Sequence, residues 1–125
     1  MWVEYNPNPK RRSVIDCTVR ALCMALDMDW DTVYLALFAI GYSVKNMPSA
    51  NEVWSTLLHR NGFRRYAVPD TCPDCYTARD FCRDHPWGVH VLVFTSHIAT
   101  VVDGNLYDTW NSLDETPQFY WTRED

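Results

Sequence analysis

A cysteine and a histidine, far apart in the chain, are the residues whose types and surroundings could do chemistry. Cys17 lies in the segment IDCTVRA (residues 15–21), at the start of a stretch with the apolar spacing of a helix. His97 opens the strand-like segment HIATVV, residues 97–102. A thiolate is a strong nucleophile, and an imidazole beside it stabilises the thiolate and moves its proton. The two residues therefore predict cysteine–histidine nucleophilic chemistry.

An aspartate–glycine turn determines which side chain would accompany the histidine. Asp103-Gly104 separates the apolar runs 98–102 and 106–107, which is a strong signal for a two-residue hairpin. Because side chains alternate between the faces of a strand, this turn places Asp108 on the face of His97, on the diagonal. Asn111 joins that face only if the loop contains a bulge or an odd number of residues. We therefore predict that Asp108 orients the imidazole, with Asn111 as the reserve.

The roles of these side chains follow from their surroundings. A carboxylate fixes the tautomer of a neighbouring histidine and stabilises its protonated form. The alternative is a structural histidine that only caps a strand.

The first turn of a helix offers unpaired N–H groups and the positive end of the macrodipole, which favour the thiolate of Cys17. Cys23 falls on the apolar face of the same predicted helix, so we expect it in the core.

A rival constellation lies in the middle of the chain. The pattern C-x2-C-x6-C-x2-H, formed by Cys72, Cys75, Cys82 and His85, supplies four zinc ligands in two close pairs. Its spacing between the pairs is not the usual one. The alternative is that Cys72 and Cys75 lie in a surface loop between the third and fourth helices while Cys82 packs from the fourth. We predict no metal and no cofactor, with this zinc set as the alternative.

The elements that must position these residues follow from periodicity and turn signals. Gly41 is predicted to end the second helix, and Ser49–Glu52 to form a capping box for the third. Helices followed by consecutive antiparallel strands indicate an α+β fold, with N-terminal helices packed on a C-terminal antiparallel sheet. The predicted helices cover 16–26, 30–40, 49–61 and 77–82; the predicted strands cover 63–68, 89–95, 98–102 and 106–109, with a short edge strand in the tail, 117–125.

Composition narrows the classes of function. A chain of 125 residues predicts a single domain, 1–125. A net charge of −5 disfavours indiscriminate nucleic-acid binding, and no apolar run approaches the ~20 residues of a membrane span. No signal peptide is visible, so we expect a cytoplasmic protein whose five cysteines are reduced. The sequence leaves the oligomeric state open.

The two motifs, taken in order, resemble the papain-like cysteine peptidase superfamily. The patterns are N-P-(x)n-D-C-x-x-R-A and, much later, S-H-x-x-x-V-x-D-G-x-x-Y-D-T-W, which are similar to small papain-fold proteins of phage and bacterial genomes. The resemblance covers about residues 6–112, and it implies that a helix bearing the cysteine meets a sheet bearing the histidine across a cleft. The matching residues are Asn8, Pro9, Asp16, Cys17, Arg20, Ala21, Ser96, His97, Val101, Asp103, Gly104, Tyr107, Asp108, Thr109 and Trp110.

The resemblance implies an activity as well as a fold. It implies a peptidase or amidase-type hydrolase, or an acyl transferase, that acts on a peptide or protein through Cys17, His97 and Asp108. Papain has a glutamine before its cysteine as oxyanion donor, and no glutamine precedes Cys17. Asn8, Asn6 or the Cys17 backbone N–H would have to take that role. The alternatives are a non-catalytic papain-fold interaction module, such as a phage protein that binds a host factor, and a small zinc-stabilised binding domain.

Overall fold

Four helices pack against one mixed six-stranded sheet in the part of the chain that the computed structural model describes, residues 1–123. The α+β class predicted from the sequence is confirmed. The last two residues of the predicted tail strand, 124–125, lie outside the described residues. In chain order the elements are β1 (Trp2–Glu4), α1 (Cys17–Leu26), α2 (Trp30–Val44), α3 (Asn51–Arg60), β2 (Phe63–Ala67), α4 (Ala78–Asp84), β3 (Val89–Val93), β4 (Ile98–Val102), β5 (Asn105–Asp108) and β6 (Phe119–Arg123).

The sheet differs from the predicted one in two respects. Its order is β1-β5-β4-β3-β6-β2, and β1 runs parallel to β5 while the other neighbours are antiparallel. A purely antiparallel C-terminal sheet was therefore wrong, because a three-residue N-terminal strand carries no periodic signal. The tail strand β6 is not at an edge either. It lies between β3 and β2, so its backbone groups are paired on both sides.

The helices begin within two residues of their predicted starts, but the signals predicted to end α2 and to begin α3 act differently. Gly41 does not end α2, which continues to Val44 and closes at Lys45 in the left-handed conformation. A Cβ on Gly41 would lie 2.7 Å from the backbone oxygen of Asn46, so the glycine allows a close backbone approach. The capping box predicted for α3 is absent, since the N-cap is Ala50 and makes no side-chain bond.

The sheet is covered on both faces. Val91 of β3 packs in one apolar cluster with residues of α1 and α3, whereas the next residue, Leu92, packs in a second cluster with Phe81 of α4. Consecutive strand residues point to opposite faces, so α1 and α4 lie on different sides of the sheet. Cys23 is buried in the first cluster, which confirms its predicted place in the core.

The cysteines are not all reduced. Cys72 and Cys75 form a disulfide in the loop between β2 and α4, while Cys17, Cys23 and Cys82 are free. The expectation of five reduced thiols was therefore wrong for this pair, although its predicted place in the loop is confirmed. Separately, none of the helices within residues 1–123 is both long enough and apolar enough to cross a membrane.

Candidate active site

Cys17 is the first residue of α1, and the residue before it leaves the start of that helix uncapped. Asp16 occupies the N-cap position, where a carboxylate commonly binds the first N–H groups, yet it makes no capping bond. Its oxygens accept instead from Arg20 Nη1 at 2.6 Å and from Trp30 Nε1 at 3.0 Å. No acidic side chain lies in the first turn. The positive end of the helix and its unpaired N–H groups therefore act on the cysteine.

The hairpin that carries the histidine has the predicted register. Asp103 and Gly104 have φ values of 50° and 79°, the left-handed geometry of a tight two-residue turn. Thr100 pairs with Tyr107, so the next residue of β5, Asp108, comes opposite Ala99 and diagonal to the histidine. The structure confirms the predicted pairing, because Nε2 of His97 lies 2.5 Å from Oδ2 of Asp108.

The aspartate is fully buried, yet its charge is well supported. Ser112 Oγ donates to Oδ2 at 2.7 Å, the Thr109 backbone N–H donates to Oδ1 at 2.8 Å, and Arg20 Nη2 donates to Oδ1 at 3.2 Å. Burial raises the pKa of Asp108, but the bonds from His97, Ser112 and Thr109 together lower it below the ordinary value. The side chain is therefore a carboxylate that can stabilise a protonated imidazole.

His97 lies between this carboxylate and the thiol of Cys17. Burial lowers the pKa of His97, but hydrogen bonds with Asp108 and Cys17 and the charges of both raise it to about 9. Since Nε2 is bound to Asp108, Nδ1 is the nitrogen left for Cys17. The Trp110 ring covers the imidazole, with its centroid 5.2 Å away. The ring is thus held protonated and oriented.

The pKa of the Cys17 thiol is shifted downward, opposite to that of His97. Burial raises the pKa of Cys17, but the hydrogen bond with His97, the charge of that ring, the Ile98 backbone N–H and the charge of Arg20 lower it below its ordinary value. Burial raises the pKa of Cys23 to about 12 and also raises that of Cys82. Cys17 is therefore the one free thiol among residues 1–123 that its surroundings favour as a thiolate, paired with the imidazolium of His97.

The pair opens onto a cleft of about 730 Å³. Cys17 and His97 line it, while Asp108 is buried behind them. The cleft is the size of a small-molecule or peptide-side-chain site. Its other walls are the start of α3, the β3–β4 connection, and strands β2 and β6, which contribute both aromatic and polar side chains: Glu52, Trp54, Arg65, Phe94, Gln118 and Trp121.

Comparison with protein-family models, curated proteins and solved structures finds no match. The assignment of the site therefore depends on its own side chains. Their arrangement, from the cleft inward, is thiol, imidazole and carboxylate. This order provides a nucleophile, a proton carrier and a group that orients the carrier.

The three asparagines proposed from the sequence lie apart from this arrangement. Asn6 Nδ2 donates to the Arg12 backbone oxygen at 3.2 Å, and Asn6 is not among the residues that line the cleft. Asn8 is buried and its Oδ1 accepts from the Lys10 backbone N–H at 2.9 Å; it is not among the residues that line the cleft. Asn111 is exposed, and its Oδ1 accepts from the Leu113 backbone N–H at 3.2 Å. The imidazole is therefore oriented by Asp108, and the reserve is not used.

The alternative zinc set is not brought together. Cys72 and Cys75 are bonded to each other, and a disulfide offers no thiolate ligand. Cys82, a residue of α4, is buried in the second apolar cluster, and Nδ1 of His85 lies 3.0 Å from the Phe81 carbonyl oxygen. Within residues 1–123, no three His, Cys, Asp or Glu side chains are grouped to hold a metal ion.

Sequence reasoning missed the support of the aspartate. Arg20 was noted only as part of a motif, although its spacing of four residues from Asp16 on a helix is the spacing of an ion pair. That signal could have identified the Arg20–Asp16 contact. No local signal indicated that the same guanidinium reaches Asp108, or that Ser112 donates to it, because these contacts depend on how the chain folds.

Proposed function

We propose that this chain is a papain-like cysteine peptidase or amidase-type hydrolase, or an acyl transferase that uses the same thioester step. The observation that carries the proposal is the thiolate–imidazolium pair of Cys17 and His97, backed by buried Asp108 and open to the cleft. The helix that bears the nucleophile packs on a sheet whose hairpin bears the other two residues, which supports a papain-like arrangement.

The first half of the reaction would form a thioester. The Cys17 thiolate attacks the carbonyl carbon of an amide or related acyl group in the cleft, and His97 gives its proton from Nδ1 to the leaving amine. The carbon–nitrogen bond breaks, and the acyl group stays on the sulfur. Asp108 keeps Nε2 engaged throughout, so the ring does not rotate away from the sulfur.

The oxyanion needs hydrogen-bond donors near the sulfur. The backbone N–H of Cys17 belongs to the first turn of α1, where N–H groups have no intrahelical acceptor. Because Asp16 is bound by Arg20 and Trp30, its carboxylate does not occupy those groups. The start of α1 can therefore stabilise the developing negative charge.

The second half of the reaction would release the acyl group. His97, now neutral, accepts a proton from water, or from the hydroxyl or amine of an acceptor, as that molecule attacks the thioester. The sulfur leaves as a thiolate, and the imidazolium is restored. Hydrolase and transferase differ only in the attacking molecule.

The test of this proposal is the reactivity of the thiol at mildly acidic pH. Iodoacetamide should modify Cys17 at pH 6 at least about tenfold faster than an accessible ordinary thiol, which is almost wholly protonated there. The matched control is Cys17→Ser/Ser13→Cys, which moves the thiol to an exposed position a few residues away. Peptide mass spectrometry without reductant measures both rates and keeps Cys72 and Cys75 bonded.

Two further variants locate the source of the reactivity. His97→Ala should remove most of the advantage of Cys17, because the cation beside the thiolate is lost. A small remainder is expected from the helix N-terminus. Equal rates for Cys17 and the control thiol, or a rate indifferent to His97, would overturn catalysis and favour the interaction-module alternative.

A further inference from the structure

The outward face of α2 is apolar, although surface helices usually present polar residues to water. Asp31 is the only charged residue within the helix. Leu35 is 65% exposed and Tyr42 is 72% exposed, and they lie on one side of the helix with other exposed apolar side chains. Positions separated by three, four and seven residues share a helical face. The outward face of α2 consists of Asp31, Tyr34, Leu35, Phe38, Tyr42 and, at the C-cap, Lys45.

The outward face of α2 is complementary to the same face of a second, antiparallel copy. Phe38 lies midway between Asp31 and Lys45 in the sequence, and also midway between Tyr34 and Tyr42. Two antiparallel copies of α2 centred on Phe38 would therefore place the acidic end of one helix against the basic end of the other. The same operation places Tyr34 beside Tyr42 of the second copy. Opposite charges in that register attract, whereas a parallel arrangement would bring like charges together.

The side chains of the face are already ordered in the single chain. The Tyr34 ring stacks on Trp30 at 4.9 Å and on Phe38 at 6.3 Å between centroids. Nζ of Lys45 lies 3.9 Å from the centre of the Tyr42 ring. Side chains that are fixed before association lose less entropy when a partner covers them. A row of stacked aromatic rings is therefore a suitable surface for a rigid partner.

The size and charge of the face also fit a second copy. Its exposed apolar side chains present about 500 Å² per protomer, or about 1,000 Å² for a pair, which is the lower range of specific interfaces. The whole chain carries a net charge of −5, so two copies repel each other unless they meet at a surface poor in negative charge. The α2 face is such a surface.

We propose that two copies of this chain associate through antiparallel packing of their α2 helices, around a twofold axis beside Phe38. Each contact in a twofold interface occurs twice, so two Asp31–Lys45 pairs flank an apolar centre. The interface is independent of Cys17 and His97, which lie on the cleft.

Sedimentation velocity of the full chain tests the proposal. Between about 1 and 100 µM, which spans the affinity expected for an interface of this size, the mass should approach twice 14.6 kDa. Phe38→Glu should give a monomer throughout, because it places two carboxylates at the axis. The matched control is Trp87→Glu, at an aromatic residue that is 79% exposed in the connection between α4 and β3. This control should dimerise like the original chain.

A charge exchange tests the register. Asp31→Lys and Lys45→Asp should each raise the dissociation constant about five- to thirtyfold, and the double exchange should restore it. Circular dichroism checks that each variant is folded, and the labelling rate of Cys17 should be unchanged in all of them. A monomer at about 100 µM, or a Phe38→Glu dimer, overturns the proposal and leaves the face to a different partner. Failure of the double exchange to rescue overturns the antiparallel register.

Discussion

Arg20 and Asp108 form a buried ion pair that ties the helix of the candidate nucleophile to the strand beside the candidate base. Nη2 of Arg20 lies 3.2 Å from Oδ1 of Asp108, and its Nη1 lies 2.6 Å from Oδ1 of Asp16. One guanidinium thus bridges the residue before Cys17 and the partner of His97. It also contributes positive charge that lowers the pKa of Cys17. The bridge sets the position of the start of α1 relative to the end of β5.

Removal of this guanidinium should destabilise the fold. Arg20→Met leaves two buried carboxylates without their shared cation, so the free energy of unfolding should fall by about 3–5 kcal/mol. Arg20→Lys should recover part of that loss, since it keeps the charge but not the two-armed geometry. Urea unfolding measures both. Arg83→Met, at an exposed arginine, is the control and should change stability by less than about 1 kcal/mol. A loss no larger than that of the control would show that the bridge is not stabilising.

Replacement of the orienting carboxylate should lower the reactivity of the thiol. In Asp108→Asn the imidazole loses the charge that raises its pKa, so less imidazolium faces Cys17. We expect iodoacetamide labelling of Cys17 at pH 6 to slow about tenfold, the effect of one pKa unit. Asn111→Ala should label at the original rate, because its side chain bonds to the Leu113 backbone. If Cys17 were labelled more slowly in Asn111→Ala than in Asp108→Asn, the assignment of Asp108 would be wrong.

The thiol and the imidazole should act on stability in opposite directions as pH changes. The pKa of His97 is raised from 6.5 to about 9 by folding, so its contribution is fully present below pH 6.5 and is lost as pH rises through about 9. The pKa of Cys17 is lowered from 9.0, so its contribution is present above pH 9.0 and is lost as pH falls through the folded value. The two contributions therefore partly cancel between pH 6.5 and 9.

A serine at position 17 should expose the contribution of the histidine. In Cys17→Ser the opposing thiol is gone, and Asp108 still raises the pKa of His97. The free energy of unfolding should then fall as pH rises from 6.5 to 8.5, and Cys17→Ser/His97→Gln should lose this slope. Urea titrations across that range measure it. A Cys17→Ser protein whose stability stays flat or rises would show that the pKa of His97 is not raised.

The glycine inside α2 should tolerate no side chain. A Cβ at Gly41 would lie 2.7 Å from the Asn46 backbone oxygen, and a backbone atom cannot move away as a flexible side chain could. Gly41→Ala should therefore destabilise the protein by about 1–3 kcal/mol, although alanine favours helices. Ser43→Ala, in the same helix but exposed, is the control and should be neutral or slightly stabilising. Thermal unfolding compares the two, and a stabilised Gly41→Ala would contradict the close approach.

The sequence determined the features that depend on neighbouring residues. The turn at Asp103-Gly104 and the alternation of side chains were enough to assign Asp108 to His97, because strand register follows from the turn and from a period of two. The apolar spacing around Cys17 likewise placed it at the start of a helix. The helix predicted from residue 77 is α4, which Thr77 caps in a capping box with Asp80. These rules depend only on residues close together in the chain, so the local sequence is enough to apply them.

Only the tertiary structure decided the contacts between distant segments. Arg20 and Asp108 are 88 residues apart, and β1 and β6 reach their places in the sheet through connections that carry no periodic signal. Gly41 looked like a helix end because local patterns cannot show that the Asn46 backbone returns against it. Such contacts form because burial of the whole core offsets the entropy of closing long loops. The thiol, imidazole and carboxylate were predicted from the sequence. Only the folded chain shows that buried Arg20 joins α1 to β5 through Asp108.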